Sequence, residues 1–191
     1  MTHGEELVAR WRCGSCENAR GALILLLHDQ SGDEDAAFAL AALLPAEPAI
    51  AALRGPLRAP AAGYRWFETT PTGRPDGASL TASMDAVERW IDDRAGDAEE
   101  LWLAGFGHGA VLAEALLLRT PQRYAGAALL HGGGPLVTGL PVEPNRRRGL
   151  EIFHGTAPPN ADELRELVDW FAARTTSSPL SSPLTITGEH R

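Results

Sequence analysis

Histidine carries the most versatile chemistry in this sequence, because an imidazole exchanges a proton near neutral pH and also binds transition metals. Five of the six histidines fall at one kind of position. His28, His131 and His154 each follow an apolar run with strand character, His108 follows the run at 101–105, and His190 follows a last short run at 184–187. Parallel strands in an open sheet bring their carboxyl ends to one edge, which is where such sheets bind ligands. The spacing therefore predicts that these imidazoles gather at one crevice, with Asp29 beside them. Three uses of the set stay open: hydrogen bonding within loops, contact with a ligand, or a metal site drawn from His28, His108, His131 and His154. The expectation is that neither a metal nor another cofactor is held.

Around His108 the stretch LWLAGFGHGAVLAEALLL reads as a short apolar strand, a glycine-flanked turn and an amphipathic helix. Gly105 and Gly109 stand where small residues let a strand pack tightly against the helix that follows it, the layout of the Gly-x-Ser-x-Gly nucleophile elbow. The serine position of that pattern is Gly107. Acyl transfer needs an oxygen nucleophile, a base to take its proton and a carboxylate to hold the base in the useful tautomer. Glycine supplies none of these. The glycines recur at every second position, so the stretch does not fit the Gly-x-Gly-x-x-Gly dinucleotide pattern.

Composition sets the bounds. A chain of 191 residues that is 44% hydrophobic can bury one sizeable core, and a single domain over 1–191 is expected. The formal net charge of −8 gives no general reason to expect nucleic-acid binding, which requires a basic face. The run Arg146, Arg147 and Arg148 is too short to alter that and reads as a solvated loop. The first residues, MTHGEELVARW, lack the apolar core of a secretory signal, and no apolar run approaches the roughly 18 to 20 residues that span a bilayer, so a soluble cytoplasmic protein is expected. Cys13 and Cys16 have the C-x-x-C spacing of a redox pair or half a zinc site, but no second pair completes four ligands, and incidental thiols are the plainer reading.

The elements that must position these residues alternate. Strands are expected at 5–12, 22–27, 49–54, 100–105, 125–130, 150–153 and 184–187, and helices at about 33–44, 79–94, 110–119 and 162–174. The run ALILLL at 22–27 is apolar without alternation, as suits a strand covered on both faces. This order predicts an α/β fold with a doubly wound, mostly parallel sheet of six to seven strands and right-handed crossovers. The excursion GPLRAPAAGYRWFETTPTGRPDG is long for a connection inside a compact domain and reads as a binding or covering loop.

Four stretches in order then resemble one family, the small phospholipase/carboxylesterase group of the α/β-hydrolase fold. LLLHDQSGDE resembles its oxyanion loop, RGPLRAPAAGYRWFE its Gly-x-x-Trp-Phe loop, GFGHGAVLAEALLLRTPQRYAGAALLHG its elbow region, and IFHGTAPP its acid loop. The resemblance implies a minimal, lidless hydrolase domain with the nucleophile position at Gly107, the acid position at Pro158 and the catalytic histidine at His190. It also implies oxyanion-hole amides at Gln30 and His108, a changed oxyanion loop at His28 and Asp29, and a pocket mouth at Trp66 and Phe67. With two triad members missing, the expectation is a non-hydrolytic binder of a small, moderately apolar or ester-like ligand, over an anion-tolerant floor of backbone amides. His131 is a further binding candidate, and a homodimer is a candidate assembly. The alternatives are an active hydrolase, lyase or isomerase with a rebuilt, metal-free or metal-dependent histidine site using His108 or His190 as base, and a structural subunit pairing with an active homologue.

Overall fold

The computed structural model describes residues 6–12, 21–132, 151–155 and 160–175. Cys13, Cys16, the arginine run at 146–148, Pro158, the strand expected at 184–187 and His190 lie outside the described residues.

Among the described residues, eight strands and four α-helices follow one another as β1 (Ala9–Arg12), β2 (Ala22–Leu27), α1 (Glu34–Phe38), β3 (Ala49–Leu53), β4 (Leu57–Arg58), β5 (Tyr64–Arg65), α2 (Gly77–Arg94), β6 (Glu100–Phe106), α3 (His108–Arg119), β7 (Gly126–Leu130), β8 (Glu151–Gly155) and α4 (Ala161–Thr175). Six of these strands form one sheet in the order β1-β3-β2-β6-β7-β8. All neighbours pair in parallel except β1 with β3. The apolar runs are apolar throughout because each strand face meets its own layer. Leu23, Leu25 and Leu27 pack with Leu103 towards Met84, Val87 and Ile91 of α2 and Leu112 and Leu116 of α3. Ile24 and Leu26 pack with Trp102 and Ala104 towards Ala37 of α1 and Leu167 and Phe171 of α4. Among the described residues, no helix is long and apolar enough to cross a membrane.

Two elements are shorter than the sequence predicts. The first strand begins at Ala9 rather than residue 5, where its pairing with β3 begins (Ala9 opposite Leu53). The first helix is capped by Asp33, whose Oδ1 accepts from the Ala36 amide at 2.8 Å, but after Phe38 it tightens into a 3₁₀ turn, Ala39–Ala42. Pro45 lies three residues beyond, and tightened last turns of this kind are common at helix ends.

The long excursion is a fixed structural element. Its hairpin, β4 with β5, is tied to the loop after β2 by Ser31 N–H donating to the Tyr64 carbonyl at 2.9 Å and Tyr64 N–H donating to the Gly32 carbonyl at 2.8 Å. Arg54 donates from Nε to Glu34 Oε2 at 2.6 Å and lies over the Tyr64 ring. That guanidinium holds the Glu34 carboxyl below the usual carboxylate range.

Candidate functional site

The site lies where β2 and β6 end side by side, Leu27 opposite Gly105. At Gly107 the chain turns from β6 into α3 with φ +47° and ψ −110°, a conformation that L side chains rarely adopt. Its N–H donates to the Leu130 carbonyl at 2.9 Å, which ties the turn to β7. The flanking glycines are required by contact. A β-carbon on Gly105 would overlap the backbone of Gly109, and one on Gly109 would overlap the Leu27 carbonyl. Strand, turn and helix therefore have the backbone of a nucleophile elbow, with no side chain at its apex.

Asp29 fills that apex. A β-carbon built on Gly107 would fall inside the Asp29 carboxylate. Asp29 Oδ1 accepts from the Gln30 amide at 2.7 Å and from the His108 amide at 2.9 Å. These are the two amides named from the sequence as an oxyanion hole. They converge on one point, and a carboxylate oxygen of the chain itself stands there. The anion-tolerant floor expected from the sequence is thereby corrected: an anion is already in place, and a second would meet its charge.

The histidines divide into separate roles. His28 is buried, with Nε2 accepting from the Gly55 amide at 2.9 Å and Nδ1 at 2.7 Å from the Asp29 carbonyl. An amide can only donate, so Nε2 carries no proton and the neutral ring holds it on Nδ1. Burial lowers its pKa from the usual imidazole value. Both nitrogens are used, which leaves His28 neither a metal ligand nor a base. His108 stacks on Phe67 with centroids 4.2 Å apart, its Nδ1 is buried without a hydrogen-bond partner among the described residues, and burial lowers its pKa as well. His131 is exposed, sits at φ +58° and shares two surface cavities with Asp29. His154 is exposed on β8 and lines neither cavity. Among the described residues no three of His, Cys, Asp and Glu are grouped to hold a metal ion. The predicted gathering is thus partial, because strand ends share an edge while each side chain takes its own direction.

Trp66 and Phe67, expected at a pocket mouth, line neither of the two cavities beside Asp29. Both are fully buried: Trp66 donates from Nε1 to the His28 carbonyl at 2.9 Å, and Phe67 supports the His108 ring. They hold the loops that carry Asp29 and His108. The residue whose importance the sequence understated is Asp29, which appeared there as a changed loop position. Its combination with Gly107 was the available signal, since a vacant apex leaves room for a carboxylate.

No protein-family model matches the chain, and no curated protein sequence does. Solved structures do. A protein of unknown function from Agrobacterium tumefaciens matches with a TM-score of 0.70 at 21% identity, covering 86% of this chain and 95% of that one. A carboxylesterase from Mesorhizobium loti matches at 0.64 and 22%, covering 87% and 94%. A carboxylesterase from Bacillus cereus matches at 0.68 and 17%, also covering 87% and 94%. The fold is that of an α/β-hydrolase. Within that α/β-hydrolase scaffold, the turn after β6 and the loop after β2 frame the crevice, and Asp29 stands between them.

Proposed function

We propose that this chain is an esterase-like protein that binds a small ligand in the elbow crevice without hydrolysing esters. The observation that supports the reading is the Asp29 carboxylate, which stands in the volume of the missing nucleophile and takes both converging amides. An ester carbonyl arriving there finds no nucleophile at Gly107 and no free donor for a developing oxyanion. Loss of the serine from an intact triad costs on the order of 10⁶ in kcat, and a blocked hole removes much of what such a mutant retains. The apolar side of the crevice, with Phe106, Ala36 and Ala37, suits a small and moderately apolar ligand.

The test is hydrolysis of short-chain nitrophenyl esters by the unmodified protein, with His108→Ala and His131→Ala in parallel. The expected result is no turnover, or equal background in all three. Turnover that disappears in one histidine variant overturns the reading and identifies an enzyme with a rebuilt base.

A further inference from the structure

The geometry points to a protonated amine as the class of ligand this crevice takes, an inference that rests on the non-hydrolytic reading and makes its ligand specific. One oxygen of Asp29 is anchored by two amides, so the carboxylate is fixed in place. Asp29 is exposed, and its other oxygen, Oδ2, makes no hydrogen bond to another described residue, which leaves it open to solvent and to a ligand. Asp29 lines a cavity of about 500 Å³ whose wall includes Phe106, Ala36 and Ala37, and a second, more open one of about 610 Å³ beside Val111. Those volumes lie in the range of small-molecule sites, roughly 300–1,000 Å³.

Charge decides which ligand is favoured. Among the described residues neither cavity is lined by lysine or arginine, so the described lining offers an incoming anion no cationic side chain and offers a cation the Asp29 carboxylate. Besides Asp29, the titratable groups among the described lining residues are three imidazoles: His28, neutral by its hydrogen bonds, His108, with its pKa lowered, and exposed His131. Arg65 acts on His108, and Asp33 and Glu34 on His28, from outside the lining. An ammonium group placed at Oδ2 gains a charge-assisted hydrogen bond while its hydrocarbon part covers the apolar wall. An ester or carboxylate finds the amides occupied and a like charge in front of them.

Benzylammonium and benzoate, matched in shape and opposite in charge, are the probes, followed by calorimetry and by the amide NMR shifts of Gln30 and His108. Benzylammonium is expected to bind the unmodified protein, more weakly as NaCl is raised, and benzoate is expected not to bind. Asp29→Asn keeps an acceptor for both amides and removes the charge, so it should weaken benzylammonium about tenfold or more. Asp29→Gly should free the amides and let benzoate bind. The inference is overturned if benzoate binds the unmodified protein as well as benzylammonium does, if benzylammonium does not bind at millimolar concentration, or if Asp29→Asn leaves its affinity unchanged. The contrast between the two probes on unmodified protein needs no variant to fold. Ester turnover by that same protein would overturn the non-hydrolytic reading instead, whatever the amine does.

Discussion

At residue 107 the backbone conformation and the neighbouring carboxylate act on any side chain together. Gly107 holds φ +47°, where a residue with a β-carbon costs about 1–3 kcal/mol. The same β-carbon would displace Asp29, which then loses its two amide partners. Gly107→Ser should therefore lower the unfolding free energy by more than backbone strain alone. Asp29→Gly in the same chain removes the collision and leaves only the strain. A double-mutant cycle from urea midpoints should show a coupling of roughly 0.5–3 kcal/mol, with the double variant more stable than the sum of the singles. Additive costs would mean that the carboxylate is not held over the elbow.

Among the elements, the loop after β2 and the excursion between β3 and α2 are joined through His28. Its ring takes the Gly55 amide, its carbonyl takes the Trp66 indole, and Trp66 in turn accepts from Ser83 of α2 through its own carbonyl. His28→Ala leaves a buried amide unpaired and opens a cavity, with an expected loss of about 2–4 kcal/mol in urea unfolding. The pH dependence has a definite sign. The folded protein holds the His28 pKa below the usual 6.5, so the unfolded chain binds the proton first as pH falls. The stability from the neutral ring is fully present above 6.5 and is lost as pH drops through the folded value. His28→Ala should flatten that decline, with the remaining slope belonging to groups such as His108, whose shift has the same direction. An unchanged slope would show that His28 does not titrate in this way. The strands and the longer helices were legible in the sequence because burial on both faces leaves an unbroken apolar run in β2, and one buried stripe leaves Leu80, Met84, Val87 and Ile91 at helical spacing in α2. The tight contact of Asp29 with the His108 amide was not, because it joins residues 79 positions apart and leaves no periodic trace. Nor was the burial of Trp66, since an aromatic in a proline-rich loop reads the same whether it anchors the loop or meets a ligand.

The molecule as a whole has the fold of an α/β-hydrolase, with the Asp29 carboxylate standing at the apex of the elbow turn. If the scaffold around Asp29 and Gly107 is intact, hydrolysis should be recoverable by reversing the substitutions in a definite order. Gly107→Ser alone should stay inert, because the serine must compete with Asp29 for one volume and the amides remain occupied. Adding Asp29→Gly frees both amides, and an oxyanion hole with binding is worth roughly 10³–10⁴ over water even without a full triad. Adding Pro158→Asp, at the acid position implied by the family resemblance, should raise turnover further by orienting the imidazole that serves as base. The measurement is nitrophenyl ester turnover across the single, double and triple variants, with thermal melts to establish that each is folded. A rise at the second and third steps supports a site closed by its own carboxylate. A folded triple variant that stays inert would mean that the amides of Gln30 and His108 serve only to hold Asp29, and that the crevice is built for binding alone.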